Sequence, residues 1–223
     1  MATEDAAKLW QSRLMKHGLE EVRRLASKRP LRPRAQRFIF LRHGETEGNA
    51  KRLYQPPDIP LNSTGEAQAR RAAGYLREHP VERILASDMR RAWQTAQAAA
   101  EIVGATITAE PRLRERWFGD LVGTSSIDLD WRHEPPNGES LDKFVQRTQA
   151  GFQEALDTDA STLLVAHGGS LYVLIYSLGA ELLEDHIANA TPLLFEHDPG
   201  HGCWRISNIA PISVTAGYRR TTD

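Results

Sequence analysis

Two short apolar runs, each ending in a histidine, constrain this chain more than any other feature. Phe38-Ile39-Phe40-Leu41 leads into Arg42-His43-Gly44-Glu45-Thr46, and Leu163-Leu164-Val165-Ala166 leads into His167-Gly168-Gly169-Ser170. Unbroken apolar runs of this length read as strands buried on both faces, as in parallel sheets. Open α/β sheets hold their ligands at the carboxyl ends of the strands. Two histidines delivered there, one beside a guanidinium, point to phosphoryl chemistry at an imidazole.

Elements around these runs alternate. Residues 37–42 read as a strand and 43–62 as a long loop with Pro56, Pro57 and Pro60. Ser63, with Glu66 three residues on, reads as a capping box opening a helix to about His79. A strand is expected at 83–86, then an alanine-rich helix opened by Ser87 and Asp88 and running to Val103. Residues 106–109 read as a short strand, 111–138 as irregular, and 139–156 as a helix. The strand 162–166 and a helix over 170–178 follow, with weaker strand signals at 193–196 and 203–207. This βαβα order predicts a three-layer α/β/α domain with a mainly parallel central sheet.

The chain has 223 residues, 40% of them hydrophobic, enough for one large domain. Residues 4–27 read as helical, with Trp10, Leu14, Val22 and Leu25 on one face and Gly18 weakening the middle. Pro30 and Pro33 then break the chain. The division expected is an N-terminal helical extension and basic linker over residues 1–35 and a catalytic domain over 36–223. The extension either docks through Trp10, Leu14 and Val22 or mediates self-association, so monomer and homodimer both stay open. Residues 1–37 carry 10 Lys/Arg against 4 Asp/Glu, while the remainder carries 18 against 25. A solvated amphipathic helix accounts for the basic start, and a contact with an acidic partner or membrane surface is the alternative. The acidic body argues against nucleic acid as the main ligand.

Cys203 is the one cysteine, so no internal disulfide forms and a cytoplasmic location is expected. An organellar transit peptide is the alternative; Glu4, Asp5, Glu20 and Glu21 speak against it. Residues 161–180 lack Lys, Arg, Asp and Glu, yet His167-Gly168-Gly169-Ser170 divides them into pieces too short to span a membrane.

Four pieces carry candidate chemistry. His43 has a nitrogen that is neutral and nucleophilic near pH 7, and Gly44 lets a substrate approach the backbone. Arg42 can fork onto phosphate oxygens, or it is a surface ion-pair partner. Arg91 lies one turn inside the helix after residues 83–86, where anions are favoured, whereas Arg90 points away. Glu115, in Leu113-Arg114-Glu115-Arg116, can protonate a leaving oxygen or pair with Arg114 or Arg116. His167 is the fourth, with a satisfied core histidine as the alternative. No His-x-x-x-His or paired-cysteine spacing calls for a metal.

Together these segments resemble the histidine phosphatase superfamily, also known for its cofactor-dependent phosphoglycerate mutase-like members, over about residues 36–215. The resemblance rests on Arg42-His43-Gly44-Glu45-Thr46 with Asn49, Asp58 to Asn62 and Gly65 to Ala69, and Ser87 to Ala96. It rests equally on Leu113-Arg114-Glu115 with Phe118-Gly119, Asn137 to Leu141, and Val165 to Gly169. It implies that His43 attacks the phosphorus of a monoester while Glu115 protonates the leaving oxygen. Arg42, Asn49, Arg91 and His167 would hold the phosphoryl oxygens. Hydrolysis of the phosphohistidine would complete a phosphatase cycle, needing no metal or other cofactor. The substrate expected is a small phosphorylated metabolite, with a phosphoprotein left open.

The chain departs from the family at Gly48, where tryptophan is frequent, at Pro56-Pro57, and at Leu121-Val122-Gly123 in place of Trp-Glu-Gly. These positions shape the mouth of the site. Mutases of the family carry longer insertions between the acid and the Gly-Glu-Ser element than residues 120–137 provide. A phosphatase is therefore the reading. A mutase-type phosphotransferase and a silent phospholigand-binding protein are the alternatives.

Overall fold

The computed structural model describes residues 17–210. Six strands form one sheet: β1 (Arg37–Arg42), β2 (Arg83–Ala86), β3 (Thr106–Ala109), β4 (Thr162–Ala166), β5 (Pro192–Asp198) and β6 (Cys203–Asn208). Their spatial order is β3-β2-β4-β1-β5-β6. The first four run parallel, with Arg42 in register with Ala166. The two weaker strand signals are real strands, and β5 joins β1 antiparallel. β5 and β6 also pair antiparallel, as they must, because the few residues between them cannot make a crossover. The sheet is thus mainly parallel with an antiparallel hairpin at one edge.

Period-two alternation sorts the apolar side chains. Phe38, Phe40, Leu85, Leu164 and Ala166 pack on one face, while Ile39, Leu41, Ile84, Ala86, Leu163 and Val165 pack on the other. The helices are α1 (Leu19–Ser27), the short α2 (Glu47–Ala50), α3 (Ser63–Tyr75), α4 (Arg90–Val103), α5 (Leu141–Leu156) and α6 (Gly168–Ser177). Ala72 of α3 and Ala92, Ala96 and Ala99 of α4 cover the second face; Phe152 and Leu156 of α5 and Leu171, Leu174 and Ile175 of α6 cover the first. The chain leaves neighbouring β1 and β4 toward helices on opposite faces. That reversal opens a crevice at the carboxyl ends of those strands.

Of the helix starts that differ from expectation, three have a clear local reason. Asn62, not Ser63, caps α3, its Oδ1 accepting from Gly65 N at 2.7 Å. α4 begins at Arg90 rather than Ser87, because Ser87 and Asp88 are engaged elsewhere: Ser87 Oγ lies 2.8 Å from His167 Nε2 and Asp88 binds Arg114. α6 begins at Gly168, since Ser170 Oγ accepts from His167 N at 2.9 Å and so caps the helix.

Trp10 and Leu14 lie outside the described residues. Gly18, at φ 71°, sits at the start of α1 rather than inside a longer helix. Leu19, Val22 and Ala26 are buried against α5 and α6. The Gln149 side-chain nitrogen lies 2.8 Å from the carbonyls of Ala26 and Arg29 and from Ser177 Oγ, tying the end of α1 to the domain. Among the described residues no helix is long and apolar enough to cross a membrane.

Candidate active site

β1 and β4 end side by side, and His43 N donates to Ala166 O at 2.9 Å. The imidazole centroids of His43 and His167 are consequently 5.1 Å apart. His43 Nδ1 lies 2.7 Å from the Gly44 carbonyl, which can only accept, so Nδ1 carries the proton and Nε2 the lone pair. Arg91 Nε donates to that Nε2 at 3.2 Å. The turn behind the histidine is tightly packed. A Cβ on Gly44 would stand 2.4 Å from Gly65 O, and one on Gly65 would stand 1.9 Å from Glu45 O. Glycine at both positions lets the His43 loop rest on the first turn of α3.

His167 is fully buried and adds no surface to the neighbouring cavity. Ser87 Oγ lies 2.8 Å from its Nε2, while its Nδ1 is buried without a hydrogen-bond partner. Arg42 Nε is in the same condition; another Arg42 nitrogen donates to Ile187 O. Arg91 spends its remaining nitrogens on Pro56 O at 3.1 Å and Met89 Sδ at 3.3 Å. The Pro56-Pro57 departure therefore supplies a backbone carbonyl, which a proline provides as well as any residue.

Glu115 pairs with neither flanking guanidinium. Its Oε1 accepts from Arg116 N and its Oε2 from Gly169 N, both at 2.9 Å. Arg114 turns instead to Asp88, and Arg116 to three backbone carbonyls. A Cβ at Gly169 would meet Glu115 Oε1 at 2.1 Å and Trp131 at 2.6 Å. The glycine after Gly168 is what lets the acid reach the start of α6. Asn49 Oδ1 lies 3.2 Å from Thr46 N and 3.0 Å from Thr46 Oγ1, leaving its Nδ2 as the donor available to a ligand. A side chain at Gly48 would collide with Gln55, at 2.4 Å, which accounts for the missing tryptophan.

Arg42, His43, Asn49, Arg91 and Glu115 all line one cavity of about 240 Å³. Its further wall is aromatic: Tyr54, Trp117, Phe118, Trp131 and Tyr172. Tyr54 is brought there by backbone bonds to Gly123 and Thr124, within the segment that departs from the family. A larger cavity of about 620 Å³ adjoins it, sharing Met89, Glu115 and Trp117 and carrying neither imidazole. Its arginines are engaged, Arg112 by Glu110 and Glu154, Arg114 by Asp88, and Arg147 by Glu139. Among the described residues no three His, Cys, Asp or Glu side chains gather as a metal site.

Burial drives the electrostatics. It pushes both histidines well below their usual pKa, with Arg91 contributing to both and Arg42 adding further. Both rings are therefore neutral near pH 7. Burial also lowers Arg42, and it lowers Arg91 to about 10, partly opposed by Glu115; at neutral pH Arg91 stays charged. The result is a neutral nucleophilic nitrogen between two cations, with a carboxyl group nearby. Such a set can attack a dianionic electrophile and stabilise its charge before reaction begins.

The sequence motifs contain most of this set. Ser87, Gly169 and Arg116 are positioning residues that strand and helix reading passed over, because their partners lie 54 or more positions away, or in the Arg116 case on a distant loop. The aromatic wall is likewise assembled from separate loops.

The chain and its fold have relatives among known proteins. Residues 38–209 match the model of the histidine phosphatase superfamily, branch 1. The chain is 33% identical to the glucosyl-3-phosphoglycerate phosphatase of Mycobacterium tuberculosis, across 70% of this chain and 79% of that protein. It is 35% identical to a probable phosphoglycerate mutase of Photorhabdus laumondii, across 61% of this chain and 71% of that protein. The structure of a mycobacterial glucosyl-3-phosphoglycerate phosphatase complexed with VO3 superposes with a TM-score of 0.62 at 26% identity, covering 79% of this chain and 99% of that one.

Proposed function

The chain belongs to the histidine phosphatase superfamily, and from that premise we propose that it hydrolyses small phosphate monoesters through a phosphohistidine on His43. The observation that carries this reading is the state of His43. Its Nδ1 is held by the Gly44 carbonyl, so the lone pair of Nε2 faces a cavity bordered by Arg42 and Arg91.

In the first step His43 Nε2 forms a bond to phosphorus as the bond to the leaving oxygen breaks. Glu115 gives its proton to that oxygen. In the second step water attacks phosphorus, the P–N bond breaks, and Glu115 takes a proton from the water. His43 returns to its starting state and phosphate departs. Arg91 Nε–H turns from His43 to a phosphoryl oxygen as Nε2 engages. The unpartnered Arg42 Nε and His167 Nδ1 are donors awaiting such oxygens, with Asn49 Nδ2 beside them. Ser87, donating to His167 Nε2, would keep the His167 proton on Nδ1.

Two features favour hydrolysis over isomerisation. Residues 120–137 form a short cover, so water can reach the phosphohistidine. The wall beyond the phosphate pocket is largely aromatic, and of its two arginines, Arg52 and Arg116, the latter is committed to backbone carbonyls. That wall suits an uncharged organic leaving group better than a second anion. The test is to incubate the protein separately with an aryl phosphate and with 3-phosphoglycerate, following phosphate and isomer. Phosphate release outpacing isomer formation, and lost in His43→Ala, is the expected result. Isomer exchange faster than release would make it a mutase; binding without turnover would make it a silent binder.

A further inference from the structure

We propose that the N-terminal helix α1 is the outer buttress of the leaving-group wall, so that residues preceding the family core set which organic groups the site accepts. The inference rests on the phosphatase reading above. The family match begins at residue 38, after α1 has ended.

The wall is built on the segment around Trp131, and that segment is held from two sides. From outside, His17 O accepts from Trp131 N at 2.9 Å, and His17 Nδ1 donates to Leu129 O at 2.7 Å. Glu20 pairs with Arg132 at 3.2 Å. Gly18 lies so close that a Cβ there would stand 2.4 Å from Asp130 Oδ1, and its φ of 71° is one that other residues adopt at a cost.

From inside, the buried Arg116 donates to Trp131 O at 2.8 Å, His133 O at 2.9 Å and Glu139 O at 2.9 Å. Its guanidinium lies 5.6 Å from the Phe118 ring centroid and 6.0 Å from that of Trp131. The Trp131 peptide groups are thus fixed by α1's leading residues on one side and by the neighbour of Glu115 on the other.

Packing extends the same link. Leu19, Val22 and Ala26 share one apolar cluster with Trp131, and Phe118, Leu129 and Tyr172 pack against it. Those last four residues also line the 240 Å³ cavity. By contrast, the phosphate-facing side chains sit at the ends of β1 and β4, on α2 and at the start of α4, and none belongs to the apolar cluster that α1 shares with Trp131. Loosening α1 should therefore shift the wall while leaving the phosphate pocket in place.

The test uses the full chain with Gly18→Val, and with Leu19→Ala combined with Glu20→Gln as a milder pair. Substrates are 2-naphthyl phosphate, whose rings need the wall, and ethyl phosphate, which does not; vanadate reports on the phosphate pocket. We expect KM for naphthyl phosphate to rise about tenfold, the scale of a poorly fitted apolar pocket. The kcat/KM for ethyl phosphate and inhibition by vanadate should move less than about twofold, as for sites without shared partners. Equal loss on both substrates, or an unchanged ratio between them, overturns the proposal. If Gly18→Val does not fold, the milder pair decides by the same ratio. If the unsubstituted protein releases phosphate from neither ester, the phosphatase reading fails. Calorimetric binding of naphthyl phosphate against inorganic phosphate then tests the buttress by the same two outcomes.

Discussion

His43 and Glu115 are asked for different things, and substitutions should separate them. His43→Ala removes the only atom proposed to bond phosphorus, so phosphate release should fall by about 10³-fold or more. Gly169→Ala acts on the acid indirectly: its new Cβ would fall 2.1 Å from Glu115 Oε1 and displace the carboxyl. Loss of a positioned acid costs about 10²–10⁴-fold, and the cost should fall on alkyl esters, whose leaving oxygen needs a proton. Nitrophenyl phosphate should be hydrolysed with little change. Measuring kcat for both ester types checks this; equal loss on both would show that Glu115 is not the proton donor. The histidines, Arg42, Asn49, Arg91 and Glu115 could be read from the sequence because each sits in a short segment with a recognisable pattern. The work of Gly169 could not, because it depends on a carboxyl 54 positions earlier reaching the start of α6.

At the scale of elements, Gln149 is the sharpest probe. One amide serves the Ala26 and Arg29 carbonyls and Ser177 Oγ, the first and last in a buried setting and the Arg29 contact half-buried. Gln149→Leu should remove this donor from all three acceptors and lower stability by about 1–3 kcal/mol, seen as a lower denaturant midpoint at unchanged slope. No change in midpoint would mean that α1 is held by its apolar face alone. Strand existence was legible wherever the run was apolar on both faces, as at residues 38–41 and 163–166. Helix starts were less legible. Ser87 and Asp88 look like helix-opening residues, but tertiary partners claim their side chains and α4 begins later. Asn62 outcompetes Ser63 because its Oδ1 reaches Gly65 N, three residues ahead. The direction of β5 was hidden, since residue pattern alone does not distinguish parallel from antiparallel pairing.

For the molecule as a whole, burying two neutral imidazoles couples folding to pH. His43 and His167 both titrate lower in the folded protein than in the unfolded chain. Between the two values the unfolded chain binds more protons. Their contribution is therefore complete above about pH 6.5, the unperturbed histidine value, and is lost as pH falls below it. Denaturant melts from pH 7.5 to 5 should show falling stability, with a shallower slope in His167→Asn. A flat or rising profile would mean that the rings are not buried neutral. The same compactness brings the rings of residues 43 and 167 to 5.1 Å from each other although they lie far apart in the chain. Every step proposed here runs through His43 Nε2 as the atom that receives the phosphoryl group. The most direct test is a rapid quench of turnover on a ³²P-labelled monoester, followed by peptide mapping of the label. An acid-labile, alkali-stable phosphohistidine at His43, absent from His43→Ala, is the predicted result; label on His167, or steady turnover with no covalent label, would contradict it.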